Sequence, residues 1–370
     1  MTVESPKRGS VITGAIQLRA SQRPIFIVGP SRSGTTLMSG CLNANPDIFI
    51  AGETHFFDDL APRLARSGGA ELNESDRKRC EDYFLALTHR SYGEAGDPER
   101  GWLQRSTLRE LAGRLGADPT AHFEAFCRLQ AEKRGGTRWG EKTPRHVFRI
   151  ADIMAAYPHA QFICMIRDPR AVVASYRDFK KVTVTEVEGD PGRREALEAE
   201  QRRVRMSYHV VVASLMWKAV AGATLQARQR AGPEQIWVQR YEDLVGRPET
   251  ALRALCEWLS VEYAPSMVST VPIGTSSFQA FQSDAGLTTA AVERWRQKLD
   301  PAEIAVVQSC CRVHMADFGY EPSESGASLI AVIRLWSSLP AAVLKAFWAN
   351  RTRFGGVFGY VWRRARAAFS

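Results

Sequence analysis

Residues 24–36 read PIFIVGPSRSGTT, and this stretch decides the fold. The run at 24–29 is apolar up to its closing glycine and rich in β-branched side chains, as is typical of a strand buried in a parallel sheet. Helical periodicity follows from Gly34 to Asn45. A buried strand, a glycine-rich turn and a helix in this order predict the first unit of an α/β fold.

Two more buried strands are predicted downstream, at 161–166 (QFICMI) and 235–239 (QIWVQ). Between 55 and 135 the pattern indicates several helices and no strand. Helices are also predicted at 171–180, 194–230, 248–259, 289–298 and 301–317, the last with Asp300 as its cap and Pro301 at its first position. Strands that alternate with helices predict a central parallel sheet, and ligands bind at the carboxyl ends of such strands.

The composition is that of an ordinary globular protein with an excess of positive charge. Of 370 residues, 45% are hydrophobic and 24% charged, which argues against disorder and against a polytopic membrane protein. The net charge of +9 permits a nucleotide, a nucleic acid or a lipid surface as partner. Residues 327–370, called the tail below, hold seven basic and no acidic residues, so residues 1–326 are nearly neutral. Nucleic acid is therefore not expected as a partner.

The cysteines and the first residues suggest a reducing compartment. Seven cysteines without a C-x-x-C pair argue against a disulfide framework and a structural zinc site, and the scattered histidines predict no metal site. Residues 1–21 lack the continuous apolar stretch of a signal peptide. We expect residues 1–22 to form a flexible arm and the protein to be cytoplasmic.

The turn after the first strand has the glycine spacing of a phosphate loop. Gly29 and Gly34 are spaced as in a Walker loop, whose backbone N–H groups and helix start suit an anion. Thr35 stands where the Walker lysine would be, and Arg32 places a cation inside the loop instead. A single phosphate therefore fits better than a nucleotide triphosphate, although a turn that merely connects strand and helix is the alternative. The candidate ligands are Arg32, Ser33, Gly34, Thr35 and Thr36.

This loop, RSGTT at 32–36, resembles the one that holds the 5′-phosphosulfate in sulfotransferases that use 3′-phosphoadenosine 5′-phosphosulfate (PAPS). The chain looks nearest to the tyrosylprotein and carbohydrate branches, in a bacterial form, and the matching segments span 23–320. The resemblance implies a P-loop-like three-layer fold, a catalytic domain at 23–322, PAPS as co-substrate and no metal.

The second matching segment is IRDPR at 166–170, followed by Ser175. The resemblance implies that Arg167 and Ser175 hold the 3′-phosphate of the donor, and the fork of a guanidinium suits a phosphate. A surface arginine paired with Asp168 is the alternative reading. Some relatives carry a further arginine where this chain has Phe179.

Two more segments resemble parts of the family that enclose the nucleotide. Tyr241, in QRYEDLV at 239–245, matches a tyrosine near the adenine, with core packing as the alternative. Residues 274–299 are similar to a closing segment, in which Ser276, Ser277 and Lys298 are not assigned individually.

Catalytic candidates follow from two more stretches. In IAGETH at 50–55, the resemblance implies Glu53 as the base, with His55 as the second candidate because cytosolic members of the family use a histidine; His55 lies on the same side as Glu53 if the chain is extended. Alternatively, either is a surface group, or Glu53 caps the next helix. In WGEKTP at 139–144, Lys142 matches a lysine near the sulfo group, alongside Arg32, while Glu141 fixes the loop. An exposed turn lysine is the alternative for Lys142.

The tail has the pattern of an interfacial helix. Its apolar side chains fall on one face of a helix, opposite a narrow stripe with Arg334 and Lys345. Pro340 is expected to divide it into two helices, with Ser337 or Ser338 capping the second. The apolar run at 335–344 is judged too short to span a bilayer. We expect contact with an anionic membrane surface, and packing on the catalytic domain or on a second subunit are the alternatives.

Together these features predict transfer of a sulfuryl group from PAPS to a hydroxyl or amine, with a carbohydrate or glycolipid as candidate acceptor. The protein is then cytoplasmic or peripheral on the inner face of a membrane. A P-loop kinase and a non-catalytic, membrane-associated nucleotide-binding protein are the other two hypotheses.

Overall fold

The structure is a computed structural model that describes residues 23–64, 72–88, 99, 101–179, 202, 203, 205–269 and 287–350. The predicted arm, most of the first half of the helix at 194–230, Ser276, Ser277 and residues 351–370 lie outside the described residues.

The described residues contain a five-stranded parallel sheet. Its strands are β1 (Ile25–Val28), β2 (Ile48–Ala51), β3 (Arg138–Lys142), β4 (Gln161–Ile166) and β5 (Ile236–Arg240), in the order β2-β3-β1-β4-β5. Ile25 of β1 lies opposite Gly140 of β3 and Gln161 of β4, which fixes the register at the centre of the sheet. The predicted α/β class is confirmed, and β1, β4 and β5 are the three strands that the sequence predicts.

The described helices are α1 (Thr35–Asn43), α2 (Phe56–Asp59), α3 (Ala61–Leu64), α4 (Glu74–Leu87), α5 (Arg105–Leu115), α6 (Pro119–Lys133), α7 (Ile150–Ala156), α8 (Pro169–Phe179), α9 (Val210–Ala231), α10 (Tyr241–Gly246), α11 (Pro248–Leu259), α12 (Ser266–Ser269), α13 (Trp295–Lys298), α14 (Pro301–Asp317), α15 (Leu329–Ser337) and α16 (Leu339–Asn350). A 3₁₀ helix spans Pro144–Arg149.

The remaining strands, β2 and β3, are not predicted by the sequence pattern. β3 reads RWGEK, so three of its five residues are charged, although four of the five are buried. A Cβ at Gly140 would lie 2.4 Å from the carbonyl oxygen of Ile25, so this strand needs a glycine where it approaches β1. β3 is held by pairing with its two neighbouring strands and by a buried carboxylate whose oxygens accept hydrogen bonds, rather than by a run of apolar side chains.

Helix α14 begins as predicted, whereas the helix predicted at 289–298 is wrong. Asp300 forms a capping box with Glu303, with Pro301 at the first helical position. In the earlier segment only Trp295–Lys298 is helical. The Thr288 hydroxyl accepts a hydrogen bond from the backbone N–H of Ala290 at 3.2 Å, which favours a turn over a helix there.

The core fills both faces of the sheet because alternate residues of β1 point to opposite sides. Phe26 and Val28 belong to one buried cluster, with aromatic neighbours that include Phe123. Ile25 and Ile27 belong to another cluster, on the side of α1 and α11. This arrangement gives the three-layer architecture and leaves the carboxyl ends of the strands as one shared edge.

The described part of the tail forms two helices, α15 and α16, separated at Ser338, two residues before the expected division at Pro340. The hydroxyl of Ser338 donates to the carbonyl of Leu335 at 2.7 Å, so the expected capping of the second helix by Ser338 is wrong. Val332, Leu335 and Leu339 pack against the core cluster that contains α9 and α14. Part of the apolar face predicted from periodicity therefore packs on residues 1–326, and part of it is exposed to solvent.

Two described helices are long and apolar enough to cross a membrane by length and composition. Val210–Ala231 has a mean hydropathy of 1.4 and is 44% buried, as suits a core helix. Leu329–Ala349 has a mean hydropathy of 1.5, and none of it is buried. The prediction that the apolar part of the tail is too short is thus wrong, because only Arg334 and Lys345 interrupt 21 residues.

Candidate functional site

The candidate residues lie at the carboxyl ends of all five strands. In spatial order, β2 leads to Glu53 and His55, β3 ends at Lys142, β1 leads to the loop at 29–34, β4 leads to Arg167 and β5 leads to Tyr241. Because the strands are parallel, these residues share one edge of the sheet. The topology therefore brings together residues that are far apart in the sequence.

The loop after β1 leaves several hydrogen-bond donors available to a ligand. Gly34 begins α1 with a φ of 88°, and no side chain caps this helix start. A Cβ at Gly34 would lie 2.6 Å from Cδ2 of Tyr241. Ser33 is fully buried, and its Oγ has no hydrogen-bond partner among the described residues. Backbone and hydroxyl donors thus face the position where a phosphate would bind a helix start.

Arg167 is buried and held on three sides. Its Nη1 donates to the carbonyl of Arg32 at 3.1 Å and its Nη2 to the carbonyl of Ala291 at 2.7 Å. The guanidinium lies 4.2 Å from the ring centroid of Tyr241. Its buried Nε has no partner among the described residues. Arg167 is therefore a fixed cation that ties the loop, the fifth strand and the segment at 287–299 together.

The alternative in which Arg167 pairs with Asp168 on the surface is wrong. Asp168 instead accepts from Arg170, with Nη2 to Oδ2 at 2.7 Å, and both side chains are buried. The backbone carbonyl of Arg167 also accepts a hydrogen bond from Nε1 of Trp217 at 2.9 Å. This neighbouring pair and the tryptophan hold the turn after β4.

The two predicted phosphate sites meet at Arg32 and Ser175. Nε of Arg32 donates to Oγ of Ser175 at 3.0 Å, and Arg32 has a φ of 74°, which is unusual for a side chain of this size. Thr35 is buried and Thr36 exposed at the start of α1. Burial raises the pKa of Tyr241, although the charge of Arg167 opposes it. Tyr241 packs in the core and also lines the edge, so its two readings are compatible.

Glu53, His55 and Lys142 form one cluster at the other half of the edge. Nζ of Lys142 lies 2.6 Å from Oε1 of Glu53, and Nε2 of His55 lies 3.3 Å from Oε2 of the same carboxylate. The Lys142 side chain is 9% exposed, so the reading as an exposed turn lysine is wrong. His55 lies on the same side as Glu53, but through a φ of 54° rather than through an extended chain.

The surroundings of Glu53 favour its charged form. Burial alone would raise the pKa of its carboxyl group, but the hydrogen bond from His55 and the charge of Lys142 outweigh burial and lower the pKa to about 2. The Glu53 side chain remains 30% exposed. The carboxylate is therefore ionised and accessible.

Beneath this cluster lies a buried carboxylate, Glu141. Its Oε1 accepts hydrogen bonds from the backbone N–H and the hydroxyl of Thr54, both at 2.9 Å, and from the hydroxyl of Thr143. Its Oε2 accepts from Nδ1 of His146 at 3.1 Å. Burial alone would raise the pKa of Glu141, but these partners lower it. Glu141 joins the segment after β2 to the end of β3, as expected of a residue that fixes the loop.

The sequence did not single out Thr54, Thr143 and His146. The available signal is the alternation at two strand ends, where one residue points inwards and the next outwards. Thr54 sits between Glu53 and His55, and Glu141 precedes Lys142. The inward members form the network, and the outward members form the candidate catalytic cluster.

The described part of the closing segment reaches the same edge. Ala291 accepts the hydrogen bond from Arg167, and the carbonyl of Lys298 accepts from Nη1 of Arg177 at 2.7 Å. Arg177 also pairs with Glu303. Among the described residues, no group of three or more His, Cys, Asp or Glu side chains is placed to hold a metal ion.

Comparison with known proteins places the chain among sulfotransferases. Over most of its length it is similar to a protein-tyrosine sulfotransferase of Drosophila melanogaster (23% identical, over 80% of this chain and 52% of that protein). It is also similar to human carbohydrate sulfotransferase 2 (28% identical, over 85% of this chain and 68% of that protein).

A solved structure and a family model agree with these relatives. The fold resembles that of the sulfotransferase domain of the olefin synthase of Synechococcus PCC 7002, with a TM-score of 0.50 and 17% identity, over 81% of this chain and 96% of that domain. The model described as "Sulfotransferase family" matches residues 24–265. The chain belongs to the sulfotransferase family.

Proposed function

We propose that the protein transfers a sulfuryl group from PAPS to an acceptor hydroxyl or amine. The observation that carries this proposal is the Glu53–Lys142 pair, 2.6 Å apart, at the strand edge that also holds the phosphate loop. One member accepts a proton, and the other supplies positive charge next to it.

The donor's phosphates are proposed to bind at the loop and at Arg167. Two buried donors without partners among the described residues, Oγ of Ser33 and Nε of Arg167, fit an anion because buried polar groups are normally satisfied. The uncapped start of α1 adds backbone N–H groups at Gly34, Thr35 and Thr36. Ser175, bonded to Arg32, and Tyr241, stacked on Arg167, extend the proposed site towards the 3′-phosphate and the base.

PAPS supplies a sulfuryl group on a phosphate leaving group, and the chain supplies the base and the charge. In our proposal the acceptor proton moves to a carboxylate oxygen of Glu53 as the acceptor oxygen attacks sulfur. Lys142 and Arg32 stabilise the negative charge on the sulfuryl oxygens and on the departing phosphate. His55, 3.3 Å from Glu53, orients the carboxylate and is the second candidate for the base.

The Glu53–Lys142 pair must loosen during the reaction. A carboxylate with a pKa of about 2 is a weak proton acceptor. When Lys142 turns its charge to the sulfuryl oxygens, the carboxylate loses that stabilisation and its pKa rises. We therefore propose that donor binding converts Glu53 from an ion-pair partner into a base.

The acceptor class is proposed from chemistry that the named relatives share. One relative is named for protein tyrosine and the other for carbohydrate. Tyrosine and carbohydrates both carry a hydroxyl group. We propose a hydroxyl on a carbohydrate or glycolipid, in a cytoplasmic protein that is peripheral on the inner face of a membrane. All seven cysteines have free thiols, which supports a reducing compartment.

The donor is tested by thermal unfolding with adenosine 3′,5′-bisphosphate or with ATP. We expect the bisphosphate to raise the melting temperature because it carries the phosphate that Arg167 and Ser175 would hold, and ATP to raise it much less. Stabilisation by ATP alone would indicate a P-loop kinase and contradict the proposal.

A further inference from the structure

The tail helix presents an apolar face to solvent. Between Leu329 and Ala349 no residue is fully buried, and large apolar side chains are more than half exposed at several positions. They include Leu329 (72%), Ile330 (79%), Ile333 (57%) and Leu344 (63%). A patch of this kind marks an interaction surface in a soluble protein.

The opposite face holds the helix against the body. Val332, Leu335 and Leu339 pack on the cluster formed with α9 and α14. Near the middle of the helix, Oγ of Ser338 lies 2.9 Å from Nε2 of His209. A helix fixed sideways along the body cannot also cross a bilayer, so its exposed face would meet a membrane lengthwise.

The positive charge of the tail favours an anionic lipid surface as the partner of the exposed apolar face. The tail carries seven basic residues and no acidic residue, and Arg334 and Lys345 lie together beside the exposed apolar stripe. Such cations reach lipid headgroups while their stems cover apolar surface. A two-fold contact between copies of this helix would bring like charges together, with no carboxylate on the helix to compensate.

The helix lies at the end of the molecule that carries the candidate site. α9 ends shortly before β5 begins, so its other end, at His209, lies beyond the carboxyl ends of the strands. Trp217 of α9 contacts the carbonyl of Arg167, and His209 is eight residues earlier, which is about 12 Å along a helix. Through Ser338 the tail helix is therefore attached at the end of the molecule that carries the strand edge, about 12 Å beyond the contact between Trp217 and Arg167.

We propose that helix 329–349 lies in the plane of an anionic bilayer and holds the strand edge near the lipid surface, so that the acceptor hydroxyl belongs to a membrane lipid. The identity of the acceptor rests on the proposed sulfuryl transfer, whereas the docking does not.

The docking is tested by co-sedimentation of the full chain with phosphatidylcholine vesicles that contain phosphatidylserine. We expect sedimentation with these vesicles and little with phosphatidylcholine alone. Ile330→Glu with Ile333→Glu should reduce the bound fraction about tenfold or more, because two apolar side chains are lost from the buried face. Ser106→Glu with Thr107→Glu, exposed on α5, adds the same charge in a different part of the molecule and should bind like the wild type.

Three results would overturn the docking. The first is equal sedimentation of the wild type and the Ile330/Ile333 variant. The second is a dimer that the wild type forms without lipid and that this variant abolishes. The third is retention of the wild type in vesicles washed with alkaline carbonate, which would indicate a spanning helix.

The acceptor is tested with donor labelled in its sulfuryl group and a cell extract. We expect the label in the lipid-extractable fraction, and label only in the aqueous fraction would contradict a lipid acceptor. Stabilisation by adenosine 3′,5′-bisphosphate is measured on the same samples. If it is absent, the proposed function has failed, independently of the docking.

Discussion

At the scale of single residues, Lys142 pairs with Glu53 in the structure and has a second, proposed anionic partner. In the structure the hydrogen bond from His55 and the charge of Lys142 lower the pKa of Glu53, so that its carboxylate is ionised. In the proposed reaction Lys142 turns to the sulfuryl oxygens. We propose that Lys142, which Glu53 holds in place, contributes to the basicity of Glu53 and so couples donor binding to activation of the base.

The Glu53–Lys142 pair should make stability depend on pH. The pKa of Glu53 is about 2 in the folded chain and 4.5 ordinarily, so its stabilising effect is present above pH 4.5 and is lost as the pH falls towards 2. We compare urea unfolding of the wild type and of Glu53→Gln, with both His55 and Lys142 left in place beside position 53. The difference in free energy of unfolding should shrink from pH 5 to pH 3.5, and a constant or growing difference would contradict the assignment.

At the scale of elements, the site depends on two strand ends joined by Glu141. The sequence predicts β1, β4 and β5 because each is an apolar run. It does not predict β2, although this strand is as short and as apolar as β1, or β3, which is mostly charged. The residues of the donor site could therefore be placed on strand ends, while Glu53 and Lys142 were paired only by resemblance. Their contact depends on a buried network that no local periodicity reveals.

Glu141→Gln should lower the turnover number more than it lowers donor affinity. The amide keeps one acceptor oxygen for Thr54 and Thr143 but puts an N–H donor against Nδ1 of His146, which costs about 1–3 kcal/mol and disturbs the Glu53–Lys142 geometry. Turnover and bisphosphate affinity are measured on folded protein. The control is Glu81→Gln, which removes a buried carboxylate of α4 that pairs with Arg109 of α5, and it should leave turnover per folded molecule unchanged. Equal turnover in both variants would remove Glu141 from positioning.

The start of α1 is tested with Gly34→Ala. An alanine there would have a positive φ, which costs about 1–2 kcal/mol, and its Cβ would meet the ring of Tyr241. We expect a lower melting temperature and weaker binding of adenosine 3′,5′-bisphosphate. Gly113→Ala, exposed within α5 with no atom near its Cβ, should stabilise the chain by about 0.5–1 kcal/mol and leave binding unchanged. Unaltered binding by Gly34→Ala would argue against a phosphate at this loop.

At the scale of the whole molecule, the excess positive charge and the candidate site lie in different parts of the chain. Residues 1–326 are nearly neutral, and the excess positive charge lies in the tail. The periodicity of the tail predicts an apolar face, but it could not show that Val332, Leu335 and Leu339 pack on the body while Ile330 and Ile333 are exposed. That division depends on packing against α9 and α14, a tertiary contact that the periodicity of the tail does not contain.

The central claim is that Glu53 is the base in sulfuryl transfer from PAPS. The direct measurement is incorporation of label from the donor's sulfuryl group into acceptors of a cell extract, by the wild type and by Glu53→Gln. Adenosine 3′,5′-bisphosphate should stabilise both proteins, while the variant should lose about 10²–10⁴-fold in transfer rate. Equal transfer by both proteins, or none by a wild type that binds the bisphosphate, would contradict the account.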